Sequence, residues 1–337
     1  MSKPSPQPKI LFFGTSDFAV PTLLSLVSSQ KSGLELLGVI TQPDRPAGRK
    51  LALTKTPVAT AHEIHCPEVP IFKPESLKSP TSELQVIKDL LAKCDLAVVV
   101  AYGCLIPKSL LDLPHRGFLN IHPSSLPRFR GAAPIQRTLA AGDDSIDVCL
   151  MMLEAGMDTG PIYVRQQLPL TDDVNSGSLH KQCADIGAAL VKDNLDLILS
   201  GQLTPVPQVE QVEDEKRISH APKWTTEDSH INWQHNSLTI HNQVRAAAPS
   251  PGAWTTLVGT KPVRVKVLSS VVVLESKTNR EVQPPPGTII GIENEVLLVA
   301  CGNAEFLGIK ELQKEGKNIV SAKDFYAGIA SENKLFS

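Results

Sequence analysis

The apolar positions of the first two hundred residues come in two alternating patterns. Short unbroken runs rich in Val, Ile, Leu and Phe occur at Lys9–Gly14 (KILFFG), Leu34–Thr41 (LELLGVIT) and Leu96–Ala101 (LAVVVA), and again at Gly117–Ile121 and Asp147–Met152. Runs of this length without polar interruption predict strands buried on both faces. Between them the period lengthens. Phe18–Val27 reads as a helix with Pro21 in its first turn, and Thr81–Lys93 places Leu84, Ile87, Leu90 and Leu91 on one face. A long helix is expected over about Ser178–Ser200. Strands alternating with helices predict an α/β domain built on a parallel-rich, Rossmann-like sheet.

Beyond Gly201 the texture changes. Residues 202–211 are rich in Pro and Gln and read as a linker. Strand-like runs then follow closely at Val263–Leu268, Val271–Leu274, Thr288–Ile292 and Val296–Val299, with turn residues between them. That succession predicts a small β-barrel, OB-like in type. The expected organisation is a first domain over 1–201, a linker over 202–211 and a second domain over 212–337.

Composition narrows the classes. The chain has 337 residues, 33 Lys+Arg against 35 Asp+Glu, and a formal net charge of −2, which argues against binding to nucleic acid by bulk charge alone. No apolar run reaches the roughly 20 residues of a membrane span. The six cysteines, at 66, 94, 104, 149, 183 and 301, show no CxxC spacing, so a zinc site is not expected, and several sit in apolar context as reduced core residues. The N-terminus has no signal-like apolar core. A cytoplasmic monomer is the expectation, with an organellar matrix as the other compartment that fits.

Three segments bear on chemistry. The first strand ends in Gly14-Thr15-Ser16-Asp17-Phe18, where a dinucleotide site would need three glycines and only one is present, so a strand-to-helix turn is the better reading. The strand ending near Ile121 carries Asn120 and His122 two positions apart, hence on one face, at the carboxyl end of the sheet where open α/β folds bind ligands. An isolated Asn-x-His is more often structural. Here a loop with three prolines, two arginines and small residues follows, from Pro123 to Pro134. Asp158, in the glycine-flanked turn Gly156–Gly160, is either an ordinary turn aspartate or a partner that fixes the tautomer of His122.

Asn120-Ile121-His122, the Ser124–Pro127 segment and Asp158 resemble the formyltransferases that use 10-formyltetrahydrofolate. The likeness extends over Phe13–Pro21, Thr41–Arg49, Arg128–Arg137 (RFRGAAPIQR) and Leu312–Lys317. It implies that Asn120, His122 and Asp158 are catalytic, that Ser124, Ser125, Leu126 and Pro127 line the site of the folate co-substrate, and that no metal takes part. Within the family, the segment 42–49, Arg-Gly-Ala-Ala-Pro-Ile and the β-domain resemble the branch whose acceptor is initiator methionyl-tRNA. By that resemblance Arg45, Arg49 and Lys50 would contact the tRNA. Residues 208–337 hold 14 Lys+Arg and 15 Asp+Glu, so the second domain is not net basic, although Lys310, Lys314, Lys317 and Lys323 lie near one another in sequence. A sugar-amine formyltransferase, a formyltetrahydrofolate hydrolase and a non-catalytic folate- or RNA-binding module are the competing readings.

Overall fold

The computed structural model describes residues 7–47, 51–211, 218–273, 283–329 and 334–337. It divides into two compact units: one comprises Met1–Arg130, Asp147–Leu168 and His180–His220, the other Gly131–Ile146, Pro169–Leu179 and Ala221–Ser337.

A seven-stranded sheet forms the centre of the first unit. Its spatial order is Ile162–Pro169, Ser145–Met152, Phe118–His122, Leu96–Val100, Lys9–Gly14, Glu35–Ile40 and Ile71–Phe72. Lys9–Gly14 runs parallel to both neighbours, and Leu96–Val100 runs parallel to Phe118–His122. Ser145–Met152 then runs antiparallel to Phe118–His122, so the parallel-rich sheet turns mixed at that side. Every residue of Leu96–Val100 is buried, as its unbroken Val-rich run requires. The helix Ser82–Leu91 buries Leu84, Ile87 and Leu91 and is capped by the Thr81 hydroxyl, which accepts from the Leu84 amide. Ser176–Ser200 is the long helix expected. At Gly187 a Cβ would lie 2.6 Å from Ile121, so only glycine lets this helix approach the strand that carries Asn120 and His122.

Some elements differ from expectation. Asp17–Ala19 is a 3₁₀ turn, and the α-helix proper runs Val20–Ser29 with Pro21 in its first turn. Helices Pro57–His65, Pro134–Ala141 and Ser237–Ala247 and the strand Ile162–Pro169 leave no clear period in the sequence.

The second unit is built on an antiparallel sheet ordered Ala253–Leu257, Val263–Val273, Phe306–Lys314, Val296–Ala300 and Ile289–Glu293. The two runs expected at 263–268 and 271–274 are one strand, Val263–Val273, with a bulge at Leu268–Ser270; Leu274 lies outside the described residues. The last residues close the sheet into a barrel. Leu335 bridges Thr288 and Phe336 bridges Leu257, joining the two outer strands. Phe336, 2 % exposed, fills the interior against Trp233, stacked at 5.7 Å. No helix among the described residues is long and apolar enough to cross a membrane.

Candidate active site

All the pieces of the candidate site belong to the first unit. Asn120 and His122 occupy the last turn of side chains on Phe118–His122, whose backbone pairs on both edges, Asn120 with Val99 and Met151, His122 with Cys149. The pleat puts both side chains on one face. Asn120 is 9 % exposed, yet its carboxamide has no hydrogen-bond partner among the described residues. At a sheet's carboxyl end, an amide whose N–H groups no described residue accepts is free to serve a ligand.

The imidazole of His122 is held on both sides. Its Nε2 lies 3.1 Å from the Phe129 carbonyl, which can only accept, so Nε2 carries a proton and donates it. Its Nδ1 faces Oδ2 of Asp158 at 3.6 Å. The expected pairing of Asp158 with His122 is therefore present in the geometry, with both side chains largely buried.

Both acceptors sit on unusual backbone. Phe129 has φ +59° and Asp158 has φ +51°, the left-handed region in which a non-glycine residue is strained. Phe129 is anchored by its own amide, which donates to the Ser219 hydroxyl at 3.0 Å. The loop leading to it is tied internally: the Ser124 hydroxyl donates to the Arg128 carbonyl at 2.8 Å, and the Pro127 carbonyl accepts from the Ser219 amide. The Asp158 turn lies hard against the sheet, since a Cβ at Gly160 would meet the Met152 carbonyl oxygen at 2.0 Å.

Of the residues expected to line a folate site, Ser124, Leu126 and Pro127 are buried and Ser125 is half-buried. The Ser125 hydroxyl accepts from the Asp147 amide, and the Leu126 carbonyl accepts from Arg165. Their polar atoms thus shape the loop. Arg45 begins the small hairpin Arg45–Ala47/Ala52–Thr54 and pairs with Glu75 at 2.6 Å in an exposed ion pair. Arg49 and Lys50 lie outside the described residues.

Ser219, the Phe129 carbonyl and Gln208 have no sequence signal that marks them as parts of a site. Gln208 lies in the stretch expected as a linker and is 2 % exposed. Val206, two residues before it, exchanges two backbone hydrogen bonds with Ile162 on the first unit's sheet. The only cue available was the apolar Val206 and Val209 flanking a polar residue.

Elsewhere, a cavity of about 740 Å³ in the second unit is lined by residues including His241, Arg245 and Lys310. Lys314 and Lys317 line a separate hollow, and Lys323 pairs with Glu295. The four lysines are thus divided among different surroundings. Among the described residues, no group of three or more His, Cys, Asp or Glu is placed to hold a metal.

A sheet that ends in a buried Asn-x-His pair beside an aspartate, followed in sequence by a small antiparallel barrel, defines an acyl-transfer enzyme of the formyl transferase class. The models of that class match: "Formyl transferase" over residues 8–195 and "Formyl transferase, C-terminal domain" over 223–330. The chain belongs to the methionyl-tRNA formyltransferase family. It is 37 % identical over 326 residues to the methionyl-tRNA formyltransferase of Geobacter sulfurreducens, covering 96 % of this chain and 95 % of that protein. It is 38 % identical over 324 residues to that of Thiobacillus denitrificans, covering 96 % and 97 %. The fold is shared with the sugar 3N-formyl transferase WlaRD, solved in the presence of dTDP and 5-N-formyl-THF (TM-score 0.63, 17 % identity, 93 % of this chain and 99 % of that one). It is shared also with an N-formyltransferase from Helicobacter canadensis (TM-score 0.62, 16 % identity, 91 % and 99 %).

Proposed function

We propose that this chain transfers the formyl group of 10-formyltetrahydrofolate to the α-amine of methionine esterified to initiator tRNA. The observation that carries the reading is the unpaired Asn120 carboxamide beside a His122 held between two acceptors. The near-complete coverage by methionyl-tRNA formyltransferases supports the choice of acceptor.

The reaction joins a neutral amine to the formyl carbon, and negative charge builds on the formyl oxygen. A donor aimed at that oxygen is usually the largest catalytic term. Asn120 has N–H groups to give, because no acceptor among the described residues claims them. The Nε2 proton of His122 is already given to the Phe129 carbonyl, so the nitrogen left for proton transfer is Nδ1, which faces Asp158 at 3.6 Å. As the new C–N bond forms and the bond from carbon to folate N10 breaks, the amine gives up one proton and N10 gains one. His122 and Asp158 are the acid–base pair placed to hold that proton in between.

Fit to the folate rests on the same amide, a donor without a partner among the described residues. We assign contact with the folate to the loop of Ser124, Ser125, Leu126 and Pro127, chiefly through backbone since its hydroxyls serve the loop itself. We assign the tRNA acceptor end to the sequence segment carrying Arg45, Arg49 and Lys50. Organisation into a catalytic domain (1–201), a linker (202–211) and a tRNA-binding domain (212–337) belongs to the same proposal, as do a monomeric state and a cytoplasmic setting. The cysteines favour a reducing compartment. All six are free, and burial pushes the thiols of Cys94, Cys149, Cys183 and Cys301 up to about 12, so these four are poor nucleophiles.

The test is formyl transfer from 10-formyltetrahydrofolate to initiator methionyl-tRNA, run beside an amino sugar, glycinamide ribonucleotide and free methionine. Transfer to the charged tRNA alone is the expected result. Transfer only to a small amine would remove the tRNA assignment, and folate binding without any transfer would favour a binding module.

A further inference from the structure

We propose that Gln208 is a positioning residue of the active site, acting on His122 through both of its acceptors; this rests on the catalytic reading above. Its side chain makes four hydrogen bonds in one buried place. The Nε2 group donates to the carbonyl of Asp158 and to that of Gly160, both at 2.8 Å. The Oε1 atom accepts from Arg130 twice, from Nε at 3.2 Å and from Nη2 at 2.7 Å. The amide orientation is fixed by chemistry, because carbonyls only accept and a guanidinium only donates. At 2 % exposure there is no water to replace a lost bond.

The two halves of this side chain reach the two sides of the imidazole. One half pins the turn Asp158–Gly160, and Asp158 faces His122 Nδ1. The other half holds the guanidinium of Arg130, the residue that follows Phe129, and it is the Phe129 carbonyl that accepts from His122 Nε2. Asp158 and Phe129 are also the two residues here held at positive φ, a conformation that persists only where neighbours enforce it. Gln208 supplies that enforcement directly at the Asp158 carbonyl. Its role is to fix the distance and angle at which His122 meets its partners, with no contact to the reacting atoms.

Two substitutions separate this role from a general structural one. Gln208→Ala removes all four bonds. Gln208→Glu retains the acceptor for Arg130 but cannot donate to the two turn carbonyls. Each is compared with the native chain by thermal melt, by KM for both substrates and by single-turnover rate, using whichever acceptor the native chain formylates. We expect both variants to fold, to keep native KM values, and to lose about 10²-fold in kcat, the scale set by small misplacements of reacting groups. Native kcat in either folded variant overturns the proposal. So does a loss carried by KM with kcat intact. Should Gln208→Ala not fold, Gln208→Glu decides alone. Failure of the tRNA assignment would show instead in the native chain, as transfer to a different amine, against which the same variants are read.

Discussion

Asn120 offers a contrast between stability and activity that its surroundings make quantitative. Its backbone is fixed from both edges by pairing with Val99 and Met151, so truncating the side chain leaves the strand in place. The carboxamide has no hydrogen-bond partner among the described residues, so truncation loses no bond there and leaves only a small void at a side chain 9 % exposed. Asn120→Ala is therefore expected to melt close to the native temperature. Catalysis should respond far more strongly. Loss of one donor to a developing oxyanion costs about 2.7–4 kcal/mol, or 10²–10³ in rate. Asn120→Asp is a sharper variant: it keeps the size and removes the donors, and its charge repels the oxyanion, so its rate should fall below that of Asn120→Ala. The assay is single-turnover transfer of a labelled formyl group, which isolates chemistry from product release, with calorimetry on the same samples. A rate for Asn120→Asp at or near the native one would refute the donor role. A marked fall in melting temperature for Asn120→Ala would show that the amide is structural after all.

The remaining predictions test other parts of the same structure. Asp158→Asn should abolish most activity without changing the melt, because asparagine tolerates the left-handed conformation at φ +51° as aspartate does; Asp158→Ala should lose stability as well, and equal melts would refute the strain argument. Phe336→Ala should cost about 3–5 kcal/mol and lower the melting temperature of the second unit by about 10 °C, since Phe336 is 2 % exposed, stacks on Trp233 and closes the barrel; calorimetry checks it. His241 titrates below its ordinary 6.5, first because it is buried and next because Arg245 lies nearby. The unfolded state then binds the proton more readily, so its contribution to stability is present above pH 6.5 and falls as pH drops below it; in denaturant titrations from pH 8 to 5, His241→Gln should flatten that slope.

What could be read from the sequence follows from what is local. Leu96–Val100 announces itself because a strand covered on both faces needs no polar position, and Asn120 and His122 announce themselves because a period of two is a property of the strand alone. Val263–Val273 reads as two runs because the polar pair Ser269-Ser270 interrupts its apolar positions. In the fold, the bulge accommodates the extra residue, and the Ser270 hydroxyl finds His241 Nδ1 at 3.0 Å, so a serine is paid a hydrogen bond inside a strand. Barrel closure rests on the four residues 334–337, too few to show any period. Helix Ser237–Ala247 buries polar Asn242 and Arg245 beside each other, joined at 2.7 Å, which erases the amphipathic signal.

The candidate site was legible only in its side chains, and the reason lies in what holds them. Asn120, His122 and Asp158 are conspicuous residue types, but the geometry between them is set by backbone carbonyls at Phe129, Asp158 and Gly160. A carbonyl has no residue type and leaves no mark in a sequence. Two of the three belong to residues at positive φ, a state that costs of order 1–3 kcal/mol each and is stable only when tied from elsewhere. The ties come from Ser219 and Gln208, far along the chain from the residues they restrain. A serine and a glutamine in polar, Pro-containing sequence look like solvated connections until the fold brings them against those carbonyls. The same long reach explains the division of labour at the site. His122 has both nitrogens facing acceptors fixed in this way, so it can be held rigidly, whereas Asn120, two positions back on the same face, has no hydrogen-bond partner among the described residues. On the proposed reading, a rigid imidazole beside an unspent amide is an arrangement that gains most when charge develops on a substrate oxygen, which is the condition for selective stabilisation of the transition state.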